Sequence, residues 1–379
     1  MSEVVVAPVE TRRQRKQFLN LPWKIYAGDP NWVPPLRVNQ KELVGYKKHP
    51  FHDFTEMQTF LATRDGQPVG RIAVFINQAH NNKYGEQLGF FGFFDSIDDR
   101  AVAHGLFDAA RAWLAERNTV ALRGPCNPSL NYEIGLLVDG FDSPPTFMMT
   151  YNPQYYVDLI ESYGFQKSQD MYAFWGHMDM IEHLDEKLTF VYEEATRRFD
   201  IKLREMNHKN FDAEVRTYLD IYNRSLEGSW GFVPLSAGEV THFAKGLKEL
   251  IVPEMTCVAE VDGKPIAAVF ALLDYNPIIK EINGRLFPLG FLKLLYGRKK
   301  IKKIRAIATT VVPEYQRWGV GLVVMGGLLP KCREWGIEEC EFSWVLESNS
   351  LSRKTLQKGG AKLIKTYRIY DMDYDRATA

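Results

Sequence analysis

The sequence predicts an α/β (α+β) protein made of two mixed-sheet domains in tandem, residues 1–180 and 181–379. Two hairpin signals, Asp65-Gly66 and Asp262-Gly263, each join runs that alternate as β-strands do. The second half also contains a strand, a glycine turn and an apolar helix within Thr309–Trp335. Because both halves continue from hairpin to strand, helix and strand, we interpret them as two copies of one plan.

The first half follows this plan with two helices and five strands. Alternation or β-branched and aromatic content predicts the strands, and apolar residues at helical spacing predict the helices. In order, the elements are Gln58–Thr63, Val69–Asn77, Gly89–Phe94, the helix Ala101–Arg117, Thr119–Arg123, the helix Asn152–Tyr163 and the strand Met171–Met178.

The second half begins after a connecting helix, Asp185–Phe199, and contains an insertion, Asn276–Lys303. A helix ending at Gly359-Gly360 fits a glycine C-cap. The remaining predicted elements are the strand Lys202–Met206, the helices Asp212–Arg224 and Ala237–Leu250, the hairpin Met255–Val261 and Pro265–Leu273, the strand Thr309–Val312, the helix Leu322–Trp335, the strand Glu339–Leu346, the helix Asn349–Lys358 and the strand Tyr367–Tyr374.

Composition excludes several classes of protein. Lysine plus arginine and aspartate plus glutamate number 47 each, so the whole chain has no net charge to attract nucleic acid. The four cysteines are scattered without metal-ligand spacing, which predicts reduced, buried thiols and no metal site. The first residues lack an apolar core and no window is apolar enough to span a bilayer, so we expect a cytoplasmic protein.

The turn between Val312 and Leu322 is the strongest chemical signal. Its glycines, Gly319 and Gly321, precede or begin a helix, where free backbone N–H groups and the positive helix end favour a phosphate or pyrophosphate. A structural turn without a ligand is the alternative. The pattern is neither G-x-G-x-x-G nor a P-loop.

This turn resembles the acetyl-coenzyme-A signature of the GNAT acyltransferases, Q/R-x-x-G-x-G/A, with Gln316, Gly319 and Gly321 at its defining positions. The resemblance extends over nearly the whole chain as a tandem GNAT protein. It implies acetyl-CoA or a longer acyl-CoA as co-substrate and no metal. Carried over to this chain, the cofactor-binding residues are Thr310, Val311, Val312, Gln316, Arg317, Trp318, Gly319, Val320, Gly321, Asn349 and Arg353. The alternatives are an ordinary core strand for 310–312, a helix N-cap for Asn349 and a solvated helix residue for Arg353.

The first half departs from this signature. Its equivalent turn is 95–100, where three carboxylates replace the glycines and would repel a pyrophosphate. We therefore interpret residues 1–180 as a degenerate copy that binds no coenzyme A in the family's manner.

The catalytic groups are less well defined by the sequence. The tyrosine that the family commonly uses as general acid corresponds to Leu356, so Tyr367 on the closing strand is the substitute candidate, with Tyr370 on the same strand as the alternative. Glu347, directly after an apolar strand, is the first candidate for a general base. Asp274 and Glu314 are the alternatives, each also explained as a structural or solvated carboxylate.

Two loops offer candidate acceptor-binding residues. Trp230 and Phe232 follow a helix of the second half, where the family often builds its acceptor wall, and Asn131 and Glu133 lie in a glycine- and proline-rich loop of the first half. A packed hydrophobic loop and simple turns explain the same residues.

The insertion combines the apolar run Phe287–Tyr296 with the basic run Gly297–Arg305. Phe287–Arg305 is therefore a candidate for peripheral contact with a membrane, an acyl chain or an acidic partner. The alternative is an amphipathic helix that covers the sheet, followed by a strand with a solvated lysine face.

Together these patterns predict an acyl-CoA-dependent N-acyltransferase that moves an acetyl or longer acyl group to a small-molecule or lipid-like amine by direct attack. A Fem-like aminoacyl transferase and a non-catalytic acyl-CoA sensor or scaffold are the alternatives.

Overall fold

A computed structural model describes residues 3–183 and 186–374 of the chain. Its first part contains β1 (Val4–Pro8), α1 (Arg12–Asn20), α2 (Pro22–Ile25), α3 (Arg37–Leu43), β2 (Thr55–Arg64), β3 (Gln67–Asn77), α4 (Gln78–Tyr84), β4 (Leu88–Ser96), α5 (Arg100–Ala115), β5 (Ala121–Gly124), β6 (Cys126–Asn127), β7 (Glu133–Ile134), β8 (Leu136–Asp139), α6 (Tyr156–Glu161) and β9 (Gln166–His177).

The second part contains α7 (Glu186–Phe199), β10 (Lys202–Arg204), α8 (Phe211–Leu226), α9 (Ala237–Leu247), β11 (Thr256–Val261), β12 (Lys264–Leu273), α10 (Asn276–Glu281), α11 (Gly290–Gly297), β13 (Lys303–Val311), α12 (Val320–Trp335), β14 (Glu339–Leu346), α13 (Ser350–Lys358) and β15 (Lys362–Asp373). Single 3-10 turns lie at Pro50–Phe54, Met178–His183, His208–Asn210, Pro253–Met255, Arg298–Lys300 and Pro313–Tyr315. The predicted start of the connecting helix at Asp185 lies outside the described residues.

The described chain folds into two compact units. The first comprises the chain up to Asp170, Ile279–Gly290 and the chain from Thr366 onwards. The second comprises Met171–Ile278 and Phe291–Lys365. The sequence predicted two contiguous domains with a boundary after residue 180. The two units are instead discontinuous, because each includes strands or loops from the other half of the sequence.

The sheet of the first unit has the order β1-β2-β3-β4-β5-β15, with β8 also paired to β15. Neighbouring strands are antiparallel except for β4 and β5, which are parallel. Helix α5 connects these two parallel strands and buries Val102, Leu106 and Phe107 in the core.

The sheet of the second unit has the order β9-β14-β13-β12-β11-β10 and repeats this pattern. Here β13 and β14 form the parallel pair, and α12 connects them. Helix α12 buries Val323, Val324 and Leu328, and α7 packs against α12. The predicted fold of two mixed-sheet α/β units is therefore confirmed.

The closing strands differ from the sequence prediction. Each half was expected to close its own sheet, but the second unit is closed by β9, from the first half of the chain, and the first unit by β15, from the second half. The alternation of apolar and polar residues in a strand predicts which side chains face the core. It does not predict which of two similar sheets the strand joins.

Candidate functional site

The two parallel strands of the second unit separate partway along their length. They pair from Lys303 with Glu339 to Ala306 with Phe342, and no further. At that point β13 has one more residue than β12, and β14 has one more residue than β9. Such bulges bend strands, so β13 beyond Ala306 keeps β12 on one side and leaves its other edge open.

The hydrogen-bond pattern shows which backbone groups face this open edge. The Val312 N–H donates to the Ile266 carbonyl on the β12 side, at 2.9 Å. Because amide direction alternates along a strand, Thr310 also faces β12, while Thr309 and Val311 face the opening. Of the three predicted strand residues, only Val311 therefore directs its N–H into the opening.

The glycine turn lies directly beyond this strand. Arg317 and Gly319 both have left-handed backbone conformations, with φ values of +65° and +82°. Within the described residues, the backbone N–H groups of 317–321 make no close backbone hydrogen bond outside the turn and the helix themselves. Left-handed residues near a helix N-terminus form the anion-binding concavity known as a nest, and its amides here are available to a ligand.

The Gln316 side chain holds the turn in place. Its Nε2 donates to the Val311 carbonyl at 2.9 Å and to the Ser225 carbonyl at 3.2 Å. The turn is thus tied to β13 and to the end of α8. Both N–H groups of the Gln316 side-chain amide are used in these two bonds, so the side chain positions the turn.

The two signature glycines have different roles. Gly319 has positive φ, and a Cβ there would collide with Val191 Cγ1 of α7, so the fold itself requires this glycine. A Cβ on Gly321 would meet only the methyl groups of Thr309 and Val311, at 3.7 and 3.8 Å. The first turn of α12 therefore packs beside the end of β13, with room for a Cβ at Gly321.

The other predicted turn residues contribute through their backbone. Trp318 is partly exposed, and its ring lies under the Arg198 guanidinium at 4.0 Å, so its side chain packs on the end of α7. The Val320 side chain is buried in the core. Arg317 is exposed.

Helix α13 carries the other predicted cofactor residues. The Asn349 side chain accepts the Ser352 N–H at 3.1 Å and so acts as the helix N-cap. The Arg353 guanidinium lies 5.6 Å from the ring centre of Tyr172. Tyr172 is opposite Val345 at the carboxyl end of β14, a tyrosine beside α13 that sequence analysis missed.

The general-base candidates separate clearly. Glu347 directly follows β14 and is partly buried at the carboxyl end of the parallel strands. Glu314 is exposed and pairs with Arg224 at 3.2 Å. Asp274 follows the end of β12 that pairs with the start of β13, and its carboxylate accepts the Asn276 N–H. Seven registered pairs separate it from the open strand end, about 20 Å.

The predicted acceptor residues of the second unit lie beside α8. Phe232 is buried and its ring packs edge-on against Tyr222 at 5.5 Å, while Trp230 is partly buried. Helix α8 packs on β12 and β13, and Tyr218 contacts Phe270 of β12. Aromatic side chains therefore cover this face of the sheet.

A buried ionic cluster at the point of strand divergence was also missed. Arg305 and Glu341 are in register on β13 and β14 and are 1% and 0% exposed. Arg305 Nε donates to Ser343 Oγ at 2.8 Å, and Ser343 Oγ donates to Glu341 Oε1 at 2.8 Å. The sequence shows one basic residue near one predicted strand and one acidic residue within the next. That they lie side by side can be recognised only when the register of β13 and β14 is known.

In the first unit the chain itself fills the equivalent opening. Strands β4 and β5 pair at three positions only, and β6 then lies against β4. A Cβ on Gly92 would collide with the Cys126 carbonyl, and the Phe93 N–H donates to Asn127 Oδ1 at 2.6 Å. Burial raises the pKa of Cys126 to about 12, which makes its thiol a poor nucleophile at neutral pH.

The N-terminus of α5, the corresponding helix of this unit, is capped by an aspartate side chain. Asp99 accepts the Ala101 N–H at 2.8 Å and pairs with Arg64 at 2.6 Å. Asp95 pairs with the buried Arg71 at 2.6 Å. The carboxylates of this turn therefore occupy positions that phosphate would need.

Three predicted residues belong to this first unit and not to the unit with the glycine turn. Glu133 is in β7 of the small β6–β7 sheet, where it pairs with Asn127, and Asn131 lies just before this strand. Tyr367 is opposite Leu137 of β8 and is fully buried. Its side chain is completely buried, and its assignment as the general acid stays a prediction.

The part of the chain that the structure describes contains neither a metal-binding cluster nor a membrane-spanning helix. No group of three or more His, Cys, Asp or Glu side chains in 3–183 and 186–374 is arranged to hold a metal ion. No helix in these ranges is long and apolar enough to cross a membrane.

Comparison with known proteins gives two relatives of similar length; no model of a protein family matches. The chain is 34% identical over 363 residues to Protein YghO of Escherichia coli (strain K12), covering 94% of this chain and 92% of that protein. It is 34% identical over 383 aligned positions to the bacterial ceramide synthase of Caulobacter vibrioides, covering 98% and 97%.

Solved structures match the fold over most of the chain. A tandem GNAT protein from the clavulanic acid biosynthesis pathway covers 98% of both chains, with a TM-score of 0.57 and 12% identity. A GCN5-related N-acetyltransferase from Anabaena variabilis covers 97% of this chain and 72% of its own, with a TM-score of 0.51 and 9% identity. The predicted tandem GNAT fold is confirmed.

Proposed function

Because the chain belongs to the family that contains Protein YghO and the bacterial ceramide synthase, and has the tandem GNAT fold, we propose that it is an acyl-CoA-dependent N-acyltransferase. The observation that carries the proposal is the open edge of β13 beside the uncapped amides of α12. When bound, acyl-CoA supplies a thioester-activated acyl group.

The residues of the second unit fit such a donor. The N–H groups of 317–321 would cradle a diphosphate at the start of α12, and Gly321 has no side chain that would hold the ligand off the backbone. The outward N–H groups of Thr309 and Val311 are spaced to pair with an extended pantetheine arm. The Val311 N–H lies where it can stabilise negative charge on a thioester oxygen, a contribution of about 3 kcal/mol for one such donor.

Two side chains at the carboxyl end of β14 are proposed for proton transfer. The Glu347 carboxylate accepts the proton of the attacking amine, directly or through water. The Tyr172 hydroxyl protonates the departing sulfur, in the role that Leu356 cannot fill. Both lie at the strand end where β13 and β14 have separated.

The proposed acceptor is a long-chain amine. The name of one relative specifies ceramide, which is the N-acyl derivative of a long-chain amino alcohol. The aromatic cover of Tyr218, Tyr222 and Phe232 over this face of the sheet suits an apolar chain better than a hydrophilic amine.

The test is an assay of thiol release and amide formation with a long-chain acyl-CoA and a long-chain 2-amino-1,3-diol. We expect both products from the wild type, and a loss of at least about 100-fold in kcat for Glu347→Gln. Donor binding without thiol release would instead favour the sensor, for which the missing tyrosine at Leu356 is the supporting observation. Aminoacyl-tRNA binding that is insensitive to Gly321→Asp would favour the Fem-like alternative.

A further inference from the structure

The most exposed apolar segment of the described chain lies in and before α11. Phe287 and Leu289 are 75% and 65% exposed, and they directly precede the helix. Within α11, Leu292 and Tyr296 are 44% and 80% exposed and four residues apart, so they share one face. Leu294 is buried and anchors the helix. Four large apolar side chains thus face solvent within ten residues.

Several cations accompany this segment, and the sequence around it contains no carboxylate. No acidic residue occurs between Glu281 and Glu314. Arg285, Lys293 and Lys300 are exposed and form no ion pair with any residue in the described part of the chain. Since the chain as a whole has no formal net charge, this is a local concentration of positive charge.

We propose that residues 285–300 dock on the surface of an anionic phospholipid bilayer. The exposed apolar side chains would enter the headgroup region while the flanking cations contact lipid phosphates, as interfacial helices do. The charge complementarity selects an anionic bilayer over a second copy of the chain, because a second copy would bring the same cations into contact. The proposal goes beyond acyl transfer and does not depend on it.

Vesicle sedimentation without any substrate tests the proposal. The purified full-length chain is mixed with vesicles of phosphatidylcholine containing about one third phosphatidylglycerol, or of phosphatidylcholine alone. We expect binding to the anionic vesicles that weakens with added salt. Phe287→Ser/Leu289→Ser should bind at least about tenfold more weakly. Its control, Phe54→Ser/Leu351→Ser, removes the same residue types at 60% and 58% exposure and should bind as the wild type does.

A second pair of variants tests the charge. Removing three cations in Arg285→Gln/Lys293→Gln/Lys300→Gln should weaken binding about 100-fold, from roughly fivefold per cation. Lys48→Gln/Lys209→Gln/Lys264→Gln removes the same charge from exposed sites elsewhere and should have little effect. All variants alter exposed side chains, and unchanged melting temperatures would verify their folding.

Three outcomes would overturn the proposal. These are absence of wild-type binding to anionic vesicles, equal losses in variants and controls, or a dimer that dissociates in Phe287→Ser/Leu289→Ser. Because the assay contains neither donor nor acceptor, its failure leaves the acyl-transfer assay unaffected, and the reverse also holds.

Discussion

Gly321→Asp separates donor binding from folding, because the structure allows a side chain at this position. Its Cβ would meet the methyl groups of Thr309 and Val311 at ordinary contact distance, and its φ is not in the left-handed region. Replacing glycine by aspartate in a helix gains only about 0.3 kcal/mol, and a carboxylate in the first turn adds about 0.3–1 kcal/mol through the helix dipole. The ligand-free variant should therefore be as stable as the wild type or slightly more stable.

The same carboxylate should exclude the donor. Two like charges about 4 Å apart near a protein surface repel by about 4 kcal/mol, which corresponds to a roughly thousandfold weaker Kd. Coenzyme A at about 100 times the wild-type Kd stabilises the folded state by about 2.7 kcal/mol, or some 5–10 °C in Tm for a unit of this size. For the variant the shift should fall below about 0.5 °C.

Thermal unfolding with and without coenzyme A measures both effects. Gly321→Asn adds nearly the same volume without charge, so the difference between the two variants isolates electrostatic repulsion. Gly319 variants are unsuitable, because positive φ and Val191 make them unstable for reasons unrelated to a ligand. A full coenzyme A shift in Gly321→Asp would refute the donor site, and a loss of several degrees without ligand would refute the geometry.

Three further predictions follow from buried polar groups. Glu341→Gln should lower the free energy of unfolding by about 3–5 kcal/mol in a denaturant titration, because it removes the buried carboxylate that is linked to Arg305 through Ser343 and pairs with Lys303. Asn127→Ala should cost about 1–3 kcal/mol by orphaning the Phe93 N–H, and should leave the coenzyme A shift intact. Burial lowers the pKa of His52 below 6.5. The unfolded state then binds more protons, so stability should fall as pH decreases below about 6.5, and this loss should diminish in His52→Gln.

Each of these predictions has a control. Glu338→Gln breaks an exposed pair with Lys302 and should cost under about 1 kcal/mol. A comparable loss in both glutamate variants would contradict a special role for the buried cluster. An altered coenzyme A shift in Asn127→Ala would mean that the first unit also takes part in donor binding. For His52, stability that is constant between pH 7 and about 5.5 would contradict the effect of burial.

The limits of sequence reasoning are visible at the glycine turn. Gln316, Gly319 and Gly321 could be located from spacing alone, and the order of strand, turn and helix was predicted, although β13 begins six residues before the predicted strand and α12 two residues before the predicted helix. The sequence could not show that the fold requires Gly319 but tolerates a side chain at Gly321, because the steric constraint on Gly319 comes from α7, more than a hundred residues earlier in the chain. Likewise, the sequence could not distinguish Val311 from Thr310 and Val312. The pairing of β13 with β12 shows that only the Val311 N–H among these three points away from β12.

The sequence by itself determined the main strands and helices from Gln58 onwards, the repeated plan and the position of the helix start after the glycine turn, because periodicity, turn dipeptides and glycine act over a few residues. Only the tertiary structure decided which strand closes which sheet, that Asn127 fills the opening of the first unit, and that Arg305 meets Glu341. These are matters of strand register and long-range packing, which depend on the partner strand as much as on the residues themselves.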